Sequence, residues 1–189
     1  MGAVSGEGSA IERLQPGLLT SGIDGNPGGL AGVWAKENTR DAIFDAMLRK
    51  EVFGTSGPRI RPRLFAGWSL DQGLCERNDM IAHAYANGVP MGGDLMPSSS
   101  AEKPSFLAYA VKDPDGQKLR AIELIKGWIG DNGEMNAEVI PVASNENGAD
   151  SLCQVYVDKT FEPSQSAYYY LRAVEPATCL LYTSDAADE

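Results

Sequence analysis

The sequence holds one histidine, His83, and three cysteines with no Cys-x-x-Cys pair among them. That leaves no ligand set for a structural zinc. Positive charge is scarce too: 16 Lys and Arg stand against 26 Asp and Glu, a formal net charge of -10. So acidic a chain is repelled by nucleic acid and by anionic lipid, and neither is expected as a partner. No apolar run approaches the length that spans a bilayer. The first residues lack a basic segment followed by an apolar one, so they do not read as a secretory signal, and no compartment is indicated. No phosphate-cradling Gly-Lys-Ser/Thr loop and no G-x-S-x-G nucleophile elbow is present either. A Cys75–Cys153 bridge is open to the chain, but two buried free thiols are the expectation.

What is there reads as a folded chain. Hydrophobic residues make up 43% and charged ones 22%, a globular balance rather than a disordered one. Residues 1–30 are rich in Gly, Ser and Pro and read as loop. A strand is expected at 30–35, then a helix at 38–50. Asn38 or Thr39 can cap that helix, Asp41 falls in its first turn, and Ala42, Ile43, Ala46 and Met47 recur at helical spacing. A strand at 52–55 follows, and strand–helix–strand is the grammar of an α/β unit. Beyond Arg59 the pattern changes. A strand containing Ile60, Leu64 and Phe65 leads to a short helix at 78–87, stopped by Gly88 and Pro90. Strand-like runs then cover 106–112, 119–129, 137–143, 152–157 and 167–174, separated by turns such as Asp113-Pro114-Asp115-Gly116. Such a series predicts a mainly antiparallel, sandwich-like region. The fold class expected for the whole is therefore α+β.

Few residues carry chemistry. Thr55-Ser56-Gly57-Pro58-Arg59 follows a strand, as active-site loops of α/β domains do, and the Arg59 fork with Ser56 can hold a phosphate or carboxylate. The competing expectation is that Arg59 pairs with a structural carboxylate such as Glu37 or Asp41. Asp94, on the Gly92-Gly93-Asp94 turn, can face a cleft or bond its own turn backbone. His83 has only Asp79 near it in sequence, so a surface or capping role is expected and no metal site is assigned. Trp34, Trp68, Trp128 and the run Tyr168-Tyr169-Tyr170 are expected in the core. Alternation puts Tyr169 on one sheet face and Tyr168 and Tyr170 on the other.

Five strings in order give the chain a resemblance. They are GGLAGVWAKENTRDAIFDAMLRKEVFGTSGPRIR from Gly28, AYANGVPMGGDL from Ala84, FLAYAVKDPDG from Phe106, IELIKGWIGDNGE from Ile122 and AYYYLRAVEPATC from Ala167. Together they resemble the domain of unknown function 3604 family, a relative of the PHP (polymerase and histidinol phosphatase) metallohydrolases. The resemblance implies a longer parent protein with a divalent-metal site upstream, of which residues 1–58 would be the end of a PHP-like α/β domain and 59–178 a β-rich C-terminal region. Residues 179–189, CLLYTSDAADE, resemble one reading frame of a transposase-type sequencing adapter and are set aside from the fold. The expectation is a C-terminal piece that is not catalytic alone and holds no cofactor itself. The missing upstream domain would be its partner, and the parent would be a metal-dependent, phosphoesterase-like hydrolase of unknown substrate. The alternative is a ligand-binding, carbohydrate-like β-sandwich module, which an exposed row of aromatics on one sheet face favours.

Overall fold

A computed structural model describes residues 29–98, 103–130 and 132–176. The expected strand–helix–strand is present as three elements: β1 (Leu30–Val33), α1 (Arg40–Leu48) and β2 (Val52–Thr55). Thr39 caps α1, its Oγ1 accepting from the Ala42 N–H at 3.3 Å. The helix then closes through Lys50, whose φ is 59°.

These elements do not make an α/β unit, and the expectation of an α+β chain that opens on a PHP-like α/β end is corrected here. β1 and β2 pair directly and antiparallel, Leu30 opposite Thr55 and Val33 opposite Val52. A βαβ unit needs parallel strands with a helix covering the sheet between them. Here the two strands close on each other because Gly32 sits under the Phe53 ring, which occupies the place a side chain would take. Trp34 packs on the same ring, with centroids 5.5 Å apart. Of α1, Ala46 alone is fully buried, while Phe44, Met47 and Leu48 are exposed. A crossover helix would bury that stripe against a sheet.

The rest is antiparallel sheet. β3 (Arg61–Gly67), β4 (Val89–Pro90), β5 (Ser105–Val111) and β8 (Ser151–Val157) form one sheet in the order β4-β3-β5-β8. β6 (Leu119–Ile129), β7 (Met135–Ala149) and β9 (Ala167–Val174) form a second in the order β7-β6-β9. Strand alternation sends Leu64, Phe106, Ala108 and Ala110 of the first sheet against Ile122, Leu124, Ile140 and Leu171 of the second, which is the main core. The opposite face of the first sheet carries Phe65, Leu107 and Val155. It is covered by Leu70, by Leu74 of a single 3-10 turn and by Ala84 of α2 (Met80–Asn87). The molecule thus stacks helix layer, four-stranded sheet and three-stranded sheet. Fold class follows from pairing, and among the described residues every pairing is antiparallel.

Cys75 of the 3-10 turn and Cys153 of β8 are joined in a disulfide, so the expectation of free thiols is also corrected. Cys153 shares the helix-layer face of its strand with Val155, and Leu74 beside Cys75 packs on that face. The fold therefore brings together two residues 78 apart in sequence.

Candidate functional site

The three residues proposed from sequence do not converge. Arg59 is mostly exposed, but its fork is committed to the turn that follows β5: it pairs with Asp113 at 3.3 Å and with Asp115. The Arg59 backbone N–H also donates to Asp113 at 2.7 Å. These bonds from Arg59 and from the Asp115 N–H hold the Asp113 carboxyl below the ordinary aspartate range. The structural pairing is thus the one realised, with Asp113 and Asp115 in place of Glu37 or Asp41. Ser56 is exposed at the end of β2, and Asp94 is exposed on its own loop. No hydrogen bond or ion pair links either of them to Arg59. Around His83 the bonds are those of a helix: its N–H donates to the Asp79 carbonyl, and its carbonyl accepts from Asn87. Asp79 itself pairs with Arg77 at 2.8 Å.

Sequence inspection missed the most chemically loaded cluster. β6 alternates Ile122, Leu124, Lys126 inward, so Lys126 enters the core side of its sheet and is 4% exposed. Its ammonium meets Asp158, fully buried just after β8, at 2.7 Å. Tyr169 Oη donates to the same carboxylate at 2.7 Å, while the Thr160 N–H and hydroxyl donate to its other oxygen, each at 2.8 Å. Burial alone pushes the Asp158 carboxyl up. The bonds from Lys126, Tyr169 and Thr160 outweigh it and hold the group below the ordinary range. For Tyr169, burial and then its hydrogen bond to the Asp158 carboxylate both act upward, so its phenol is kept protonated. Every polar group here is satisfied from within the chain. The cluster ties the second sheet, through Lys126 and Tyr169, to the segment leaving the first. Nothing in it is left to meet a substrate.

A second network joins the β1–β2 ribbon to the first sheet. Glu51 takes bonds from Arg49 at 2.8 Å and from the Tyr85 hydroxyl, and Arg63 donates to Tyr85 at 2.8 Å. The Arg63 guanidinium also lies 3.6 Å from the centroid of Trp34. The tryptophans do not gather into a platform. Trp34 belongs to this network, Trp68 packs on Phe161, and Trp128 lies near the Lys126 ammonium.

The outer face of the three-stranded sheet differs, because apart from the Arg172–Glu123 pair it carries mostly exposed apolar and aromatic side chains. Tyr168 and Tyr170 point outward from β9 and are 60% and 45% exposed, with Ile129, Val139 and Met135 exposed alongside. Tyr169 points inward, as strand alternation predicts. Among the described residues, no three His, Cys, Asp or Glu side chains come together as metal ligands would. No helix there is long and apolar enough to cross a membrane.

A β-rich, antiparallel protein with saturated charge clusters and one exposed aromatic face is the class these observations define. Residues 5–147 and 143–189 match the family described as Protein of unknown function (DUF3604), and the chain belongs to it. Neither a curated protein nor a solved structure matches the chain.

Proposed function

We propose that this chain serves its family as a non-catalytic, β-rich accessory region, and that the metal-dependent hydrolysis implied by the PHP resemblance needs residues it does not supply. The carrying observation is where the ionisable groups go. Arg59 is spent on Asp113 and Asp115, and Lys126 on Asp158 and Thr160. Glu51 is enclosed by Arg49 and Tyr85. A hydrolytic metal centre instead needs several imidazole or carboxylate ligands around open coordination positions, with a water to activate. Saturated clusters of this kind hold layers together.

The test is calorimetric titration of the full chain with Zn²⁺ and with Mn²⁺, followed by a screen of phosphomonoesters and phosphodiesters. Weak binding, no tighter than that of an unrelated acidic protein, and no turnover are expected. Stoichiometric submicromolar binding, or turnover that His83→Ala or Asp94→Asn abolishes, would overturn the proposal.

A further inference from the structure

We infer that the outer face of the three-stranded sheet is a binding shelf for a neutral polysaccharide, with Tyr168 and Tyr170 as its stacking surface. This goes beyond an accessory role, because it names a ligand and the residues that meet it.

The shelf is built by strand register. Tyr168, Tyr170 and Arg172 point outward from β9, opposite Gly127, Ile125 and Glu123 of β6. The two tyrosine rings are within 8° of parallel, with centroids 6.5 Å apart. That spacing is about the two-residue rise of a strand, roughly 6.8 Å, so the rings repeat along β9. Tyr168 reaches across β6. The Tyr168 ring lies where a side chain on Gly127 would stand, its Cζ 2.1 Å from the ideal Cβ position, so the shelf requires glycine there. Ile125 also points outward, yet it is 5% exposed with Tyr170 on one side and Val139 on the other. A larger side chain at Gly127 would lift the first ring away.

The shelf has polar ends. Two residues along β6 from Gly127, Ile129 opens an uncovered groove of about 420 Å³ shared with Glu162, Ser164, Gln165 and Ser166. The register that pairs Trp128 with Ala167 brings Ser166 beside Ile129, in line with Tyr168. At the other end Arg172 and Glu123 pair at 2.6 Å. From Ser166 to Arg172 the row measures roughly 20 Å, enough for several linked pyranoses.

The chemistry selects the occupant. Parallel aromatic faces bordered by hydroxyl, amide and carboxylate groups suit a ring with an apolar C–H face and a rim of hydroxyls, which describes a pyranose. Val139 and Met135 extend the apolar strip onto β7, but the Arg172–Glu123 pair at one end and the Glu162–Ser166 groove at the other bound it, whereas a protein partner would bury a wider apolar patch. The net charge of -10 turns away sulfated or uronic polymers, so the glycan is neutral.

Affinity electrophoresis of the full chain through gels containing xylan, mixed-linkage β-glucan, galactomannan or glucomannan tests the inference. Retardation in at least one gel is expected. Tyr168→Ala or Tyr170→Ala should weaken it by about tenfold or more, whereas Tyr168→Phe and Tyr170→Phe retain it. Gln165→Ala, which removes the groove's amide and with it only a long 3.5 Å bond to the Ile129 carbonyl, should weaken it while lowering the melting temperature little. Thermal melts confirm that each variant is folded. Passage unretarded through all four gels would overturn the inference, as would retardation unaltered by the double Tyr→Ala change. So would a dimer in light scattering that the double change dissolves, since the face would then belong to a second copy.

Discussion

Lys126 and Asp158 cost free energy to bury, and their bonds to each other and to Tyr169 and Thr160 offset that cost. Removing one partner strands the other. Lys126→Met should therefore destabilise the fold by about 3–5 kcal/mol, and adding Asp158→Asn should recover part of the loss, because no buried charge remains. Urea midpoints of the two variants check this, and equal midpoints would show the charge to be unimportant. Glu175 behaves in the opposite sense. Its Oε1 is buried without a partner, and burial, then the neighbouring Asp113 charge, push its pKa up. A carboxyl raised in the folded state stabilises below its unfolded pKa and loses that contribution as pH rises through the folded value. Glu175→Gln should accordingly raise the melting temperature at pH 7, with the gain shrinking towards pH 4. Half of the Lys126 pair was legible, since period-2 alternation from Ile122 places a lysine on the core side. Its partner was not, because Asp158 lies 32 residues away in a segment that only tertiary packing brings close. Arg59 shows the same limit. The turn Asp113-Pro114-Asp115-Gly116 was evident as a turn, but nothing in the chain order tied it to Arg59.

At the scale of elements, turn chemistry and apolar periodicity placed the strands well. The expected strands at 52–55, 119–129 and 167–174 coincide with β2, β6 and β9. Pairing is a different kind of information. The same three elements, β1, α1 and β2, are compatible in sequence with a parallel crossover and with the antiparallel ribbon observed. What decides between them is the Phe53 ring over Gly32 and the failure of α1 to bury Phe44, Met47 and Leu48. The Cys75–Cys153 pairing was open in the sequence, but whether it forms was undecided for the same reason, since spacing says nothing about which faces meet. That bridge closes a loop of 78 residues, and restricting so long a loop in the unfolded chain is worth about 4 kcal/mol. The Cys75→Ser/Cys153→Ser double variant should lose most of that stability, and dithiothreitol should lower the melting temperature of the parent but not of the variant. A parent indifferent to reductant would mean the bridge does not form in solution.

Over the whole molecule, the depressed carboxyls set how stability depends on pH. Asp113 is held low by backbone and side-chain bonds from Arg59 and by the Asp115 N–H. Burial pushes Asp158 and Glu51 up, but donors from Lys126, Tyr169 and Thr160 in one case, and from Tyr85 and Arg49 in the other, leave both low. In the unfolded chain these groups titrate at about 4. Below that value the unfolded state binds protons that the native state does not, so unfolding gains as pH falls. Their stabilisation is fully present above about pH 5, begins to fade near pH 4, and is lost as pH drops through the depressed folded values. Glu175, whose shift is opposite, softens this acid limb without reversing it, being one group against four, since the bond from Arg77 holds the Asp79 carboxyl low as well. At neutral pH the net charge of -10 adds a general self-repulsion that salt screens. Melting temperatures should then hold a plateau from about pH 5 to 7 and fall steeply below pH 4. At pH 7, moderate NaCl should raise them slightly. Asp158→Asn should start from a lower plateau but fall less steeply in acid, because one of the depressed carboxyls is gone. An acid limb of unchanged slope in that variant would show that Asp158 is not among the carboxyls governing acid unfolding.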